Sequence, residues 1–245
     1  MQTKPVPTLR SSLSAEVLTK PVPGASVETL HHGSVANNFE LPRTEEAQYR
    51  LPISKRLVDI VVSATALTLL LPLLITIWAC VRLQDGGPAL FRQLRGGYRG
   101  EPFVIFKFRT MSVQDNGRKI MQTKRNDPRV TTFGRFLRRT SLDELPQLLN
   151  VLRGDMSLVG PRPHAVAHDL YYSERVENYG LRFATKPGIT GLAQISGCRG
   201  EIRTLADMER RVGFDIEYAE TWSLGLDIKI LFSTALFVLL HKNAY

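Results

Sequence analysis

A run of residues without a single charge, from Ile60 to Val81, constrains this 245-residue chain more than any other feature. A helix needs about 20 apolar residues to cross the ~30 Å hydrocarbon core of a bilayer. Basic residues flank the run on both sides, with Lys55 and Arg56 before it and Arg82 after it. Because positive charge normally marks the cytoplasmic side of a membrane, equally charged flanks do not fit a simple crossing.

Pro72 lies near the middle of this run. Proline removes a backbone donor and clashes with the preceding turn, so we expect Pro72 to bend or break the helix. A re-entrant helix over residues 51–83, which enters and leaves the membrane on the same face, accounts for both the proline and the paired basic flanks. The alternatives are a kinked helix that spans the bilayer and a helix buried in a soluble core.

The rest of the chain has an ordinary globular composition with a net charge of +9. Such a charge indicates an anionic partner, which could be nucleic acid, a membrane surface or phosphorylated substrates, and charge alone does not choose among them. Cys80 and Cys198 are the two cysteines, and their wide separation argues against a disulfide framework and fits a reducing compartment.

Periodicity divides the chain into three parts. Residues 1–50 contain scattered prolines and few large apolar residues, which is typical of a disordered or loosely attached tail. Beyond the apolar helix, the pattern over residues 84–245 predicts a strand at 101–108 and helices at 132–139, 145–152 and 204–222. The expected fold class is therefore α+β and mostly helical. A last apolar stretch, residues 230–240, is too short to span a bilayer and favours a core helix or one in the membrane interface.

Two adjacent carboxylates, Asp143 and Glu144, lie at the predicted start of a helix. Ser141 and Glu144 have the spacing of a capping box. Asp143 also fits a helix N-cap, which would place Pro146 in the first turn where its missing donor costs little. From spacing alone, capping is the better interpretation of the pair.

Cations elsewhere in the chain favour a catalytic interpretation instead. Arg162 stands between two prolines that restrict its backbone, and other basic residues are available to join it: Lys107, Arg109, Arg138 and Arg199. Arginine binds phosphate oxygens bidentately, and Mg²⁺ is held by carboxylates together with substrate phosphates. The pattern predicts a site for a diphosphate and Mg²⁺, with Asp143 and Glu144 as the metal ligands.

Three segments carry a resemblance to a known family: KFRTM at 107–111, TSLDELPQ at 140–147 and GDMSLVGPRP at 154–163. They resemble the bacterial sugar transferases, which are monotopic polyprenyl-phosphate phosphoglycosyl transferases, and the likeness extends over roughly residues 52–245. The stretch QISGCRGE at 194–201 is similar to the galactosyl-phosphotransferases that initiate exopolysaccharide synthesis in rhizobia. Many relatives have arginine directly after the glycine, whereas Cys198 stands between Gly197 and Arg199 here.

The resemblance implies an enzyme at the cytoplasmic face of the bacterial inner membrane, with its catalytic domain over residues 84–245 and an interfacial C-terminal helix. It would transfer a hexose-1-phosphate, galactose or glucose, from a UDP-hexose to undecaprenyl phosphate as the first membrane step of exopolysaccharide synthesis. Asp143 would attack the β-phosphate, release UMP and carry the sugar-phosphate as a covalent intermediate. Glu144 would act as metal ligand or base, while Lys107, Arg138 and Arg162 would hold phosphates.

Two other classes of protein compete with this enzyme. One is a membrane-anchored basic binding protein in which the carboxylate pair only caps a helix. The other is a nucleic-acid-binding protein that uses the basic run at residues 124–139, and the apolar run at 60–81 argues for membrane lipids rather than nucleic acid as the partner. The sequence does not fix the oligomeric state, and a homodimer stays open.

Overall fold

A computed structural model of the protein describes residues 52–112, 127–200 and 202–240. The tail predicted at residues 1–50 and the start of the basic run lie outside these ranges. The fold is mostly helical α+β, as the sequence predicted. Its elements are, in chain order, α1 (Ile53–Asp85), β1 (Leu90–Gly96), β2 (Pro102–Phe108), α2 (Thr132–Thr140), α3 (Gln147–Arg153), β3 (Ser157–Val159), α4 (Val166–Ser173), β4 (Gly188–Thr190), α5 (Leu192–Ile195), α6 (Leu205–Thr221) and α7 (Leu224–Leu240).

Helix α1 buries two charged residues near its start and exposes large apolar residues along its middle. Lys55 and Asp59 are each only 4% exposed, whereas Leu69 is 75% and Ile75 58% exposed. This pattern is the reverse of that of a helix on the surface of a soluble protein, and a large exposed apolar surface marks contact with a membrane or a partner. Within the described ranges, α1 is the one helix long and apolar enough to cross a bilayer.

Pro72 does not end this helix, because α1 runs in one helical stretch from Ile53 to Asp85. The predicted break is therefore absent, while a bend at Pro72 stays a prediction. Proline removes one backbone donor and leaves the hydrogen bonds of the other turns in place. Beyond the proline, the Thr76 hydroxyl donates to the Pro72 carbonyl at 2.9 Å. The structure thus includes Pro72 in a helix of 33 residues.

The first turns of α1 are fixed to the domain by buried polar contacts. The Lys55 ammonium pairs with Asp227 at 2.6 Å and donates to the Tyr218 hydroxyl at 3.0 Å. One turn later, the Asp59 carboxylate accepts from the Ser157 hydroxyl at 3.0 Å and from the Leu158 backbone at 2.9 Å. A buried charge without a partner is costly, so Lys55 and Asp59 must keep these contacts. The contacts therefore fix the position of the N-terminal end of α1 on the domain.

The last turns of α1 contact the same domain. Val81 is 1% exposed and packs in a cluster with Phe108 and Leu137. The Arg109 guanidinium forms an ion pair with Asp85 and donates to the Val81 carbonyl at 3.3 Å. Both ends of α1 are therefore held by one folded unit.

Two small sheets complete the domain. Strands β1 and β2 are antiparallel, with Leu90 opposite Phe108, and β3 and β4 are parallel. Asn150, fully buried in α3, joins the first sheet: its side chain accepts from the Phe106 backbone at 3.0 Å and donates to the Val104 carbonyl at 2.7 Å. This amide takes the place of a neighbouring strand and fixes α3 against β2.

Candidate active site

A tight turn between α2 and α3 presents the two carboxylates. Helix α2 ends at Ser141, whose φ of 58° is left-handed, and its backbone N–H bonds to the Arg138 carbonyl at 3.1 Å. A single 3-10 turn over Leu142–Glu144 follows. Left-handed backbone is uncommon for a residue other than glycine, and it redirects the chain sharply at this point. The turn places Asp143 and Glu144 between the two helices rather than inside either.

Neither capping arrangement forms. The N-cap of α3 is Pro146, with no side-chain cap, so Asp143 does not cap that helix. Ser141 makes no side-chain cap to the 3-10 turn; its hydroxyl instead accepts from Arg199 at 2.7 Å. The Glu144 side chain points instead toward two cations, Lys107 and Arg162. Both lie far from Glu144 in the sequence, so the spacing of residues around the turn does not reveal them.

Lys107 and Arg162 converge on Glu144, and we call these three residues the Glu144 cluster. The Lys107 ammonium donates to Glu144 Oε1 at 2.8 Å. Arg162 donates to Oε1 at 2.6 Å and to Oε2 at 3.3 Å, which is a bidentate contact. The structure thus brings together a strand residue, a turn residue and a loop residue that lie far apart in sequence.

Asp143 lies beside this cluster without joining it. Within the described part of the chain, no residue donates a hydrogen bond to its carboxylate. Burial and then repulsion from Glu144 raise the pKa of Asp143 to about 6, although Lys107, Arg138 and Arg162 act in the opposite direction. The carboxylate is thus ionised at neutral pH, unpaired and poorly solvated.

Glu144 has the opposite electrostatic character. Burial alone would raise its pKa, but the charges of Arg162 and Lys107 outweigh burial and hold the pKa well below its usual range. Both oxygens of Glu144 accept hydrogen bonds from cations. The two neighbouring carboxylates are therefore chemically distinct: one is neutralised by fixed partners and the other is available to a ligand.

Arg138 and Arg199 border the site from its other sides. The Arg138 guanidinium donates to the Thr110 hydroxyl at 2.8 Å, and its charge acts on Asp143. Arg199 reaches the turn through its bond to Ser141 and lies over the Phe237 ring at 5.4 Å. Each keeps its positive charge near the carboxylate pair.

Arg109 does not join these cations. Its guanidinium pairs with Asp85 and donates to the carbonyls of Pro88 and Val81. Its donors contact the C-terminal end of α1 and the loop that follows it, so the structure does not bring Arg109 together with the Glu144 cluster. Its role as a phosphate ligand stays a prediction.

The second sheet fixes the loop that carries Arg162. Gly160 follows β3, and its N–H donates to the Thr190 carbonyl of β4 at 2.8 Å. A side chain at Gly160 would collide with the Lys186 carbonyl at 2.2 Å, so only glycine allows this approach. The Gly188 N–H then donates to the Pro161 carbonyl at 2.9 Å. Arg162 therefore projects from a loop braced on both sides.

A second group of buried charges lies behind this loop, and the sequence analysis did not find it. We call it the Arg182 cluster: His164, Asp169, Tyr179, Arg182 and Asp215. Arg182 pairs with Asp215 at 3.0 Å and with Asp169 at 3.3 Å, and it donates to the Arg162 carbonyl at 2.6 Å. Its members come from four segments, so no spacing in the sequence marks them as neighbours.

The two carboxylates differ in how well they fit Mg²⁺. Magnesium is commonly held by one or two carboxylates together with substrate phosphates. Asp143 fits that role because its oxygens have no donor among the described residues, whereas Glu144 already accepts from two cations. The residues therefore fit a metal bound through Asp143 and the phosphates of a substrate, and they fit direct ligation by Glu144 poorly.

Comparison with known proteins identifies what this chain is similar to. The sequence model of the bacterial sugar transferase family matches residues 50–241. A UDP-glucose:undecaprenyl-phosphate glucose-1-phosphate transferase of Caulobacter vibrioides is 52% identical over 193 residues, which cover 79% of this chain and 72% of that protein.

Two further relatives carry different names. An undecaprenyl-phosphate galactose phosphotransferase of Salmonella typhimurium is 43% identical over 78% of this chain, but the match spans only 41% of that protein. An exopolysaccharide production protein of Rhizobium leguminosarum is 42% identical over 74% of this chain and 93% of its own length. The match therefore covers nearly all of some relatives and less than half of others.

Proposed function

Since the chain belongs to the bacterial sugar transferase family and is a phosphoglycosyl transferase, we propose that it transfers a hexose-1-phosphate from a UDP-hexose to undecaprenyl phosphate and releases UMP. Relatives named for glucose reach 53% identity and one named for galactose 43%. We therefore expect UDP-glucose to be a better donor than UDP-galactose. The rhizobial relative supports a role in exopolysaccharide synthesis.

The contrast between Asp143 and Glu144 carries the mechanism that we propose. A carboxylate that attacks phosphorus needs a free lone pair and little solvation, and Asp143 has both. An Asp143 oxygen bonds to the β-phosphorus, the bond from that phosphorus to the bridging oxygen breaks, and UMP leaves. The sugar-phosphoryl group is then held as an acyl phosphate on Asp143.

The second step regenerates the enzyme. A phosphate oxygen of undecaprenyl phosphate attacks the same phosphorus, the bond to the Asp143 oxygen breaks, and the carboxylate is restored. Lys107 and Arg162 lie beside Asp143 with side chains 18% and 27% exposed, so they can contact phosphate oxygens in both steps. Glu144 holds these two cations in position, and Arg138 adds charge from α2. Mg²⁺, held by Asp143 and substrate phosphates, would neutralise charge that develops on the leaving UMP.

A single assay tests the reaction. The purified protein is incubated with Mg²⁺, undecaprenyl phosphate and, in turn, UDP-glucose, UDP-galactose and their N-acetyl analogues, and UMP release is measured. We expect UMP with UDP-glucose and, when the acceptor is omitted, a burst of one UMP per active site at most. Mass spectrometry of the acid-quenched burst should find the hexose-phosphate on the peptide that contains Asp143. Release of UDP instead of UMP would contradict the proposed bond cleavage.

We also propose that α1 bends at Pro72 and is re-entrant, and that the domain lies on the cytoplasmic face of the inner membrane. Contacts at Lys55 and Asp59 hold one end of α1, and contacts at Val81 and Asp85 hold the other, so both ends belong to one polar domain. A spanning helix would separate its ends by the whole bilayer. The exposed middle of α1 and the exposed residues Ile228, Phe232 and Leu236, which share a face of α7, then enter the membrane together.

Cysteine labelling tests this topology. Ser54 and Gln84 are exposed near the two ends of α1, and each is changed to cysteine in a Cys80→Ser, Cys198→Ser background. A membrane-impermeant thiol reagent should label neither site in intact spheroplasts and both sites after permeabilisation. Labelling of Ser54→Cys alone from outside would show that the helix spans the bilayer. In that case the reaction proposed above could still stand, because UMP release is measured separately.

A further inference from the structure

Two arginines that have no part in the mechanism described so far lie behind the loop that carries Arg162. Arg95 of β1 donates to the Pro163 carbonyl at 3.3 Å, and the Arg211 guanidinium of α6 lies 3.4 Å from His164 Nε2. Pro163 and His164 directly follow Arg162, and the charges of Arg95 and Arg211 both act on Arg162. We call Arg95 and Arg211 the backing arginines.

Arg95 is connected to the site by its strand as well. Lys107 pairs with Phe91 across the first sheet, and Arg95 lies four residues beyond Phe91 in β1. Because alternate residues of a strand share a face, Arg95 and Lys107 project from the same face of the sheet. The charge of Glu144 also acts on Arg95. Arg95 therefore belongs to the electrostatic surroundings of the Glu144 cluster.

The backing arginines differ from Arg182 in their partners. Arg182 pairs with both Asp169 and Asp215, whereas neither backing arginine forms an ion pair with a carboxylate in the part of the chain that the structure describes. Their contacts are with carbonyl and amide oxygens and a histidine nitrogen, and each leaves its Nε–H buried without an acceptor among the same residues. Two positive charges behind the loop thus have no counter-ion within the described ranges.

The burial of these charges is costly in the absence of a counter-ion. Arg211 is 6% exposed. Burial, and then the charge of Arg162, lower the pKa of Arg95 to about 10 and lower the pKa of Arg211 as well. The carboxylates of Asp169 and Asp215 oppose this lowering from a distance, but both already have a guanidinium partner. The protein without substrate therefore keeps an excess of positive charge behind Arg162.

We propose that the backing arginines provide an electrostatic field for the diphosphate of the UDP-hexose donor, which acts as their counter-ion. The inference rests on the donor proposed above. Lys107 and Arg162 contact the phosphate oxygens, whereas the backing arginines are positioning residues that act through the loop and through space. Two unit charges about 10 Å apart, in a medium with an effective dielectric constant of about 20, change affinity roughly tenfold. Each backing arginine can therefore strengthen donor binding without touching the donor.

Substitutions that remove or keep each charge test the proposal. UDP is the probe, because it carries the diphosphate but no hexose, and its Kd is measured by calorimetry with the full-length protein in detergent. Arg95→Met and Arg211→Met should each raise the Kd for UDP roughly tenfold, and the KM for UDP-glucose to a similar extent. Arg95→Lys and Arg211→Lys keep the charge and should stay within about threefold of the wild type. The controls Arg92→Met in β1 and Arg210→Met in α6 remove exposed arginines and should match the wild type.

A purely structural role for the backing arginines predicts a different result. Lysine lacks the guanidinium fork, so the lysine variants should then bind UDP as poorly as the methionine variants. We expect instead that Arg95→Met has a thermal midpoint equal to or above that of the wild type, because it removes an unpaired buried charge.

Four outcomes would overturn the proposal: no binding of UDP to the wild type, an unchanged Kd for UDP in either methionine variant, no recovery in the lysine variants, or a thermal midpoint of Arg95→Met as low as that of Arg182→Met. If the wild type binds UDP but releases no UMP from any UDP-hexose, the proposed function fails instead, and the Kd values for UDP still decide the role of the backing arginines.

Discussion

The two clusters of buried charge are both built on arginine–carboxylate pairs but differ in access. In the Glu144 cluster the side chains of Glu144, Lys107 and Arg162 are 14%, 18% and 27% exposed. In the Arg182 cluster the side chains of Arg182 and Asp215 are each 2% exposed, and that of Asp169 is 0%. One group of cations can reach an incoming phosphate, whereas the other is closed.

The difference in exposure indicates two roles for arginine–carboxylate pairs: a structural role where they are closed and a ligand-binding role where they are accessible. A fully buried pair gives little net stability compared with apolar residues, but removing one partner leaves a buried charge uncompensated. The Arg182 cluster therefore holds the fold, including the Arg162 carbonyl, in one arrangement. The Glu144 cluster keeps two cations fixed and still partly accessible beside an unpaired carboxylate. Ion pairing alone does not identify an active site; the accessible charges next to Asp143 do.

The largest effect is expected at the unpaired carboxylate. Asp143→Asn keeps the size of the side chain but removes the nucleophile, and we expect UMP release to fall roughly 10³-fold or more. Folding should be retained, since no described residue bonds to the Asp143 carboxylate. The rate of UMP release and the thermal midpoint in detergent measure the two quantities. Near-normal turnover in Asp143→Asn would remove Asp143 from the mechanism.

In the Arg182 cluster, a substitution should reduce stability rather than act directly on catalysis. Arg182→Met leaves Asp169 and Asp215 without their cation, and we expect the free energy of unfolding to fall by about 3–5 kcal/mol. The matched control is Arg175→Met, which removes an exposed pair with Glu174 and should change stability by less than about 1 kcal/mol. Denaturant titration in detergent followed by tryptophan fluorescence measures both. Equal stability of the two variants would mean that the buried network is not structural.

The sequence was informative where the pattern is local. Helices α2, α3 and α6 and strand β2 lie close to their predicted ranges, because periodicity and turn residues act over a few positions. Asp143, Glu144 and Arg162 were predicted as a group from family-like motifs, and the structure brings them together. Asn150 lies between two of those motifs, and its isolation among apolar neighbours was the one available signal of its bond to β2.

Other features depend on long-range contacts that spacing does not encode. The capping interpretation was wrong because Lys107 and Arg162 outcompete the helix end for Glu144. Arg109 was grouped with the site cations by its motif, whereas the structure pairs it with Asp85 at the end of α1. The predicted break at Pro72 does not occur, because the helical turns on both sides of the proline remain formed. In each case, tertiary context decided between alternatives that local chemistry left equal.

A smaller effect is expected at Arg162, where charge and geometry can be separated. Lysine keeps the charge but loses the planar fork that contacts both Glu144 oxygens. Loss of one charge-assisted hydrogen bond to a substrate phosphate corresponds to about 10- to 100-fold in kcat/KM, and we expect Arg162→Lys to fall in that range. Arg135→Lys, at an exposed position on α2, is the control and should be unaffected. Full activity of Arg162→Lys would show that only its charge matters.

The smallest effect is a shift in pH dependence, and it compares the two neighbouring carboxylates directly. Burial and repulsion from Glu144 raise the pKa of Asp143 to about 6, so its carboxylate binds a proton as the pH falls through that value. A protonated carboxyl is a poor nucleophile, and kcat/KM should therefore rise between about pH 5 and 7 and level off above. Glu144→Gln removes the repulsion and leaves Lys107 and Arg162 to act on Asp143, which lowers its pKa. The acid limb of the profile should then move to lower pH, even though the activity at the plateau falls. Glu174→Gln removes an exposed carboxylate and should leave the limb in place. An acid limb that stays fixed or moves upward in Glu144→Gln would show that the charge of Glu144 does not set the ionisation of the nucleophile.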